Sequence, residues 1–179
     1  MQFYLKRRTK GKNLSILMKK RVNMSVKTLD EKDIGVLRLL QEDGRMANAK
    51  LAEQLAMSEA SCWRRLKRLL DDGVIKGFQA LLNRKALGFG VLSFVQLSCS
   101  RHSEKTTKIF ENIIKASPNV LSCHNTTGDD DFLLQVVAKD MDDYSDFIEG
   151  VIRKIPGVVN IRSNISLREI KASSRLPLG

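Results

Sequence analysis

The chain has 179 residues, 42% of them hydrophobic and 28% charged, with a formal net charge of +11. That length holds one large domain or two small ones with real cores, and no run approaches the roughly 18 apolar residues a membrane span needs. Three widely spaced cysteines (Cys62, Cys99, Cys123), two histidines (His102, His124) and no C-x-x-C argue against a disulfide framework and a structural zinc, and fit a reducing cytoplasm.

The positive charge is uneven. Residues 1–28 hold nine of the 31 Lys/Arg and no Asp or Glu, so the rest of the chain is nearly balanced. Net charge alone therefore says little about the folded part. This basic extension lacks the apolar core and cleavage site of a secretion signal. It reads either as a phosphate-binding arm or as sequence upstream of a natural start at Met24, which leaves the status of residues 1–23 open.

LDEKDIGVLRLLQEDGR, 29–45, predicts a first helix with Ile34, Leu37 and Leu40 as its stripe. Asp30 is placed to cap it and Asp43-Gly44 to end it. NAKLAEQL, 48–55, predicts a short second helix with Asn48 as N-cap and Leu51, Ala52 and Leu55 inward. Ala56-Met57-Ser58 makes a tight turn, and Ser58 caps a third helix, SEASCWRRLKRLLDDG. Helix, tight turn, capped basic helix is a helix-turn-helix order.

On a helical wheel Cys62, Leu66 and Leu69 share one side, and Arg64, Arg65 and Arg68 fan across the other with Lys67 beside them. Glu59, Ala60 and Ser61 form a small-residue first turn. Such a helix suits a DNA major groove, although surface cations are ordinarily just solvated. Ser58, Ser61, Trp63, Arg64, Arg65, Lys67 and Arg68 are the DNA-binding candidates. Ser61, Arg64, Glu59 and Trp63 are set toward base edges or adjoining backbone, and Arg65, Lys67 and Arg68 toward phosphate. Trp63 reads as a contact or, more often for an indole, as partly packed. Cys62 reads as a small core residue.

Residues 73–90 are punctuated by four glycines; Val74-Ile75 and Phe78 to Leu82 are consistent with a small hairpin or wing, followed by a linker. The second half reads strand 91–99, helix 104–117, strands 119–127 and 131–139, helix 141–155, and strand 158–170 after the Pro156-Gly157 stop. That β-α-β-β-α-β order is ferredoxin-like, with both helices on one face of the sheet. The fold class is α+β, divided into a basic extension (1–28), a winged helix-turn-helix domain (29–84), a linker (85–90) and a ferredoxin-like domain (91–179).

The hairpin loop TTGDDDF, 126–132, sets three like charges beside a glycine. It reads either as a plain acidic turn or as an amino-acid site, with Asp131 accepting an ammonium and backbone N–H groups near Thr127 and Gly128 holding a carboxylate. No further ligands support a metal. His124 reads as structural and His102 as a solvent-exposed loop residue. No nucleophile–base pair or phosphate-cradling loop occurs, and the adjacent Asp71-Asp72 and Asp142-Asp143 imply no cleft, so an enzyme is not expected.

The segments LDEKDIGVLRLLQEDGR, LAEQLAMSEASCWRRLKRLLDDGVI, NTTGDDDFLLQVVAKDMDDYSDF, IPGVVNIRSNISL and EIKASSRLPL together resemble the leucine-responsive regulatory protein and asparagine-regulator (Lrp/AsnC) family of bacterial and archaeal transcription factors, over about 29–177. The resemblance implies a winged helix-turn-helix and a ligand-sensing, oligomerising domain. It implies homodimers that assemble further, often to octamers, with sheets packed face to face. It also implies small effectors, usually amino acids, bound near the turn Gly128-Asp129-Asp130-Asp131 at contacts between dimers.

On that resemblance Thr127, Gly128, Asp129, Asp131, Met141 and Tyr144 are the effector-binding candidates, and Ser61, Arg65 and Arg68 face DNA. The implied partners are double-stranded DNA, further copies of the chain and an amino-acid effector. No cofactor, metal or membrane is implied, and the location is cytoplasmic, on the nucleoid. The expected function is a sequence-specific transcriptional regulator modulated by an amino acid. The alternatives are an effector-independent architectural DNA binder and a small enzyme or sensor with an incidental helix-turn-helix.

Overall fold

The computed structural model describes residues 28–100 and 103–178. The basic extension up to residue 27 and His102 therefore lie outside the described residues. The chain divides into two compact units, one reaching to Gln79 and including 175 onward, the other covering Ala80–Ser174.

The first unit is built from α1 (Glu31–Glu42), α2 (Asn48–Gln54) and α3 (Glu59–Asp71). Asp30 caps α1 through a reciprocal capping box: its carboxylate accepts from the Asp33 N–H at 2.8 Å, and Asp33 accepts from the Asp30 N–H at 3.1 Å. The core joins Val36, Leu51, Ala52, Cys62 and Leu69, flanked by Leu37, Leu40, Leu55, Met57, Val74 and Ile75. Burying Val36, Leu51 or Leu69 contributes about 1.5–3 kcal/mol each, and these residues come from all three helices.

Two local expectations change here. The deepest residues of α1 are Asp33 and Val36 rather than the Ile34–Leu37–Leu40 stripe, because α1 turns its first-turn carboxylate inward. The N-cap of α2 is Ala47, not Asn48, and it makes no side-chain cap. The Asn48 amide instead donates to the Glu59 carbonyl at 3.1 Å, pinning the start of α3.

The hairpin expected over 73–82 does not form a ladder. Gly73 (φ 70°) reverses the chain, the Ile75 N–H donates to the Leu69 carbonyl at 3.0 Å, and Val74 and Ile75 join the core. Phe78, Leu81 and Leu82 are left exposed, and residues 76–83 form no strand. The last residues also belong to this unit. The Gln41 side chain accepts from the Leu176 N–H at 2.6 Å and donates to the Leu176 carbonyl at 3.2 Å, and Arg38 donates to the Leu178 carbonyl at 3.1 Å.

The second unit runs β1 (Val91–Cys99), α4 (Glu104–Ala116), β2 (Val120–Asn125), β3 (Phe132–Ala138), α5 (Met141–Gly150), a 3-10 turn (Ile152–Lys154) and β4 (Val158–Ile165). The strands form one antiparallel sheet in the order β2-β3-β1-β4, as the β-α-β-β-α-β reading requires. Both helices feed a single core: Phe110 and Ile114 from α4, and Tyr144, Phe147 and Ile148 from α5, against Val95, Leu97, Leu134 and Val136. Phe110 and Phe132 stack at 4.2 Å.

The predicted helix over 141–155 breaks at Val151, after Gly150, and finishes as the 3-10 turn. The predicted strand over 158–170 stops at Ile165. Its last bond to β1 is the Ser166 N–H to the Leu92 carbonyl, at 2.8 Å, one residue short of the start of β1 at Val91.

Candidate functional site

The turn between α2 and α3 is tight because Ala56 adopts φ 47° and the Met57 N–H returns to the Ala52 carbonyl at 3.0 Å. Ser58 then caps α3, accepting from the Ser61 N–H at 3.2 Å. Cys62, Leu66 and Leu69 anchor the inner face, and the outer face carries Ala60, Trp63, Arg64 and Lys67, all exposed. Trp63 is 55% exposed and stands on the open face of α3, its remaining surface covered by the chain.

The arginines divide into two classes. Arg65 donates to Asp30 at 2.6 Å and to Asp33 at 2.8 Å, and Arg68 also pairs with Asp33. Asp33 is 1% exposed, so this carboxylate is a buried hub for two cations of α3. The Asp33 N–H, and after it the Arg65 guanidinium, holds the Asp30 carboxyl below the usual carboxylate range. Hydrogen bonds to Asp30 and then Asp33 push the Arg65 guanidinium upward. Both groups stay charged at neutral pH. The hub lay hidden in the sequence because an acid in the first turn of a helix ordinarily serves the helix dipole. The available signal was the i, i+3 acid pair Asp30/Asp33 together with an i, i+3 arginine pair on another helix.

In the second unit, the turn after β2 is closed by the Asn125 amide and the Thr126 N–H donating to the Asp131 carbonyl, at 3.0 and 2.9 Å. The Thr126 hydroxyl donates to the Asp130 carbonyl at 2.9 Å. Gly128 sits at φ 146°, where a side chain would be strained. Thr127 and Asp129 are exposed.

The three carboxylates differ. Asp131 accepts the Cys99 N–H at 2.7 Å. Asp130, absent from the sequence-derived set, is buried and accepts from the Ser98 hydroxyl at 2.7 Å and from Arg162 at 3.3 Å. In sequence, Asp129–Asp131 are indistinguishable; only their strand register against β1 separates them.

Met141 is exposed at the start of α5. Tyr144 is 5% exposed, and its hydroxyl meets the Ser93 hydroxyl at 3.0 Å and donates to Ser163 at 2.6 Å. Ser93 and Ser98 are five residues apart on β1, about 17 Å at the usual rise per residue. Within one chain, Tyr144 therefore lies at the opposite end of the sheet from the acidic turn and is not presented to it. Burial keeps all three thiols protonated: it raises Cys62 and Cys99, and it pushes Cys123 up to about 11, aided by the Glu111 charge. No group of metal-ligating side chains occurs among the described residues, nor any helix long and apolar enough to cross a membrane.

A capped helix whose open face carries an indole and two cations without an ion pair among the described residues, in a chain that also holds a ferredoxin-like unit with a built acidic turn, is the arrangement of a DNA-binding regulator with a second, ligand-binding unit. Comparison with known proteins agrees unit by unit. The profile of winged helix-turn-helix DNA-binding domains matches residues 29–76, and that of the Lrp/AsnC ligand binding domain matches 92–176.

The chain is 33% identical over 150 residues to the DNA-binding transcriptional activator DecR of Escherichia coli, covering 84% of this chain and 99% of that protein. It is equally similar to the leucine-responsive regulatory protein of Rhizobium meliloti, covering 84% and 96%. A transcriptional regulator from Neisseria meningitidis, solved as a complex with L-methionine, superimposes with a TM-score of 0.80 at 38% identity, covering 84% of this chain and 97% of that one. The chain belongs to the Lrp/AsnC family, whose members are transcriptional regulators and not enzymes.

Proposed function

We propose that this regulator binds specific duplex sites as a homodimer or a larger assembly, octamers included, and that an amino acid bound at an interface between copies modulates the binding. The observation that carries the DNA reading is the outer face of α3. Trp63, Arg64 and Lys67 are exposed, and Arg64 and Lys67 form no ion pair among the described residues. Phosphate contacts position such a helix, while base contacts give it sequence preference. Ser58 serves as the cap, and Ser61 lies close enough to the nose for backbone approach.

The amino-acid reading rests on the exposed Thr127, Gly128 and Asp129 above a turn braced by Asp130 and Asp131, and on the methionine complex of the Neisseria relative. Met141 and Tyr144 sit at the far end of the same sheet. A pocket using both the turn and Met141 therefore takes its two sides from different copies of the chain. This reading places the protein on the nucleoid, in the cytoplasm, with DNA, itself and the effector as partners. The working division is DNA binding over 29–84, a linker at 85–90, and sensing and assembly over 91–179.

The test is an amino-acid panel, with methionine included, read by calorimetry and by thermal shift on the full chain and on Asp129→Ala and Asp131→Ala. At least one amino acid is expected to bind, and both substitutions are expected to weaken it. A panel without any response supports the effector-independent architectural binder. That alternative is favoured by one observation, the occupation of Asp130, Asp131 and the Tyr144 hydroxyl by partners within the chain.

A further inference from the structure

α3 carries four cations in five positions, Arg64, Arg65, Lys67 and Arg68, yet the first unit does not present them alike. Arg65 is held by two carboxylates of the α1 start, Asp30 and Asp33. Arg68 is held by Asp33. Arg64 and Lys67 have no such partner among the described residues. The pairing is not a packing necessity for Arg68, whose side chain stays 50% exposed and which stands one helical turn after Arg64 on the same flank. Released, its guanidinium would extend the row begun by Arg64. Held, it points its charge into α1.

Asp33 is the centre of this arrangement. Its carboxylate, 1% exposed, takes the Asp30 N–H and both guanidinium groups. A carboxylate fixed between two arginines takes the same N–H donors that a DNA phosphate would need, and so competes for them.

Resting on the DNA-binding reading above, we infer that Asp33, with Asp30, is a positioning and specificity-determining pair that withholds Arg68 and Arg65 from the DNA backbone. Phosphate contacts are blind to sequence, and each one neutralised adds about 0.9 to the slope of log affinity against log salt. Withholding two of them lowers affinity for any duplex while leaving Trp63, Arg64 and Lys67 to act. The fraction of binding that depends on base contacts rises accordingly. The same bonds fix the rotation of α3 against α1, so the two free cations keep one bearing toward the groove.

The test measures the salt slope of the full-length chain on a mixed-sequence duplex, with circular dichroism to establish that each variant is folded. Asp33→Asn leaves Arg65 on Asp30 and frees Arg68, so the slope is expected to steepen by about 0.9. Adding Arg68→Gln to that variant should return it to the native value. A folded Asp33→Asn protein with the native slope or a shallower one overturns the inference, since a merely structural clamp weakens binding without adding a phosphate contact.

Arg68→Gln in the native chain is a second reading that does not depend on Asp33→Asn folding, because Asp33 keeps Arg65. Its slope is expected to equal the native one, whereas Arg64→Gln flattens it by about 0.9. A matching flattening by Arg68→Gln means that Arg68 already neutralises a phosphate, and it overturns the inference. A native chain that ignores the duplex at every salt concentration overturns the DNA-binding reading itself, and this inference with it. A native chain that binds with unchanged slopes across the variants overturns the inference alone.

Discussion

Tyr144 illustrates how a single residue acquires a role that composition does not announce. Its ring belongs to the core of the second unit, and its hydroxyl sits between Ser93 on β1 and Ser163 on β4. The register aligns those serines with the core side of the sheet, where Val95 opposes Ser163. Removing the hydroxyl takes from the buried Ser93 one of its two partners, the Asn164 carbonyl at 3.4 Å being the other, while the exposed Ser163 turns to water, so the loss is that of a typical hydrogen bond, about 0.5–1.5 kcal/mol. Tyr144→Phe is therefore expected to lower the thermal midpoint of the second unit while leaving amino-acid affinity unchanged. Unaltered melting with weakened effector binding would instead put Tyr144 at the ligand. Such roles were half visible beforehand. A tyrosine on the inner stripe of a helix is legible as core, but a partner on a strand nearly twenty residues away in sequence is not. Asp33 was hidden for a related reason, because its two arginines lie on a helix more than thirty residues later.

At the scale of elements, local signals read well wherever they act locally. Asp30 and Ser58 each cap the helix they precede, through a side-chain oxygen and a backbone N–H three residues on. Two of the readings that changed concern strand pairing. The strand over 158–170 ends near the start of β1, and residues 73–82 form no strand pair. In the turn into α3, Ala56 holds φ 47°, a left-handed backbone that costs an L-residue with a Cβ roughly 1–2 kcal/mol, and the exposed Ala56 side chain offers little packing in return. Ala56→Gly removes that strain against an entropic penalty of about 0.5–1 kcal/mol, so unfolding of the first unit should move to higher temperature. Ser58→Ala acts oppositely at the next step. Losing a cap costs about 1 kcal/mol, and it frays the turn bearing Glu59, Ala60 and Ser61. Urea titrations of both variants check the opposite signs; a destabilised Ala56→Gly chain would mean that the turn is not strained.

At the scale of the whole molecule, two separate cores leave one large surface to account for. α4 and α5 cover a single face of the sheet, since Val95, Leu97, Leu134 and Val136 all meet them. By strand alternation Phe94, Gln96, Leu133 and Gln135 point the other way, and the register sets Phe94 opposite Gln135 and Gln96 opposite Leu133. Phe94, 40% exposed, is an aromatic ring in the middle of that uncovered face. A sheet stabilises itself by burying a face against another layer, and two such faces pack about 10 Å apart. In the assembly proposed above, a second copy of the same sheet would supply that layer, and the polar residues of this face, Gln96, Gln135, Asn164 and Arg162, suit a self-complementary twofold contact. Phe94→Glu places a charge at the centre of the contact in each copy, so two like charges meet across the axis. The expected result in sedimentation velocity is a slower species with the mass of one chain, retaining native circular dichroism because Phe94 is outside the core described for its own unit. DNA affinity should fall with it, since two α3 helices would no longer engage neighbouring half-sites together. A Phe94→Glu protein that sediments as the native assembly would move the subunit contact away from this face, toward the exposed Phe78, Leu81 and Leu82 of the connecting segment.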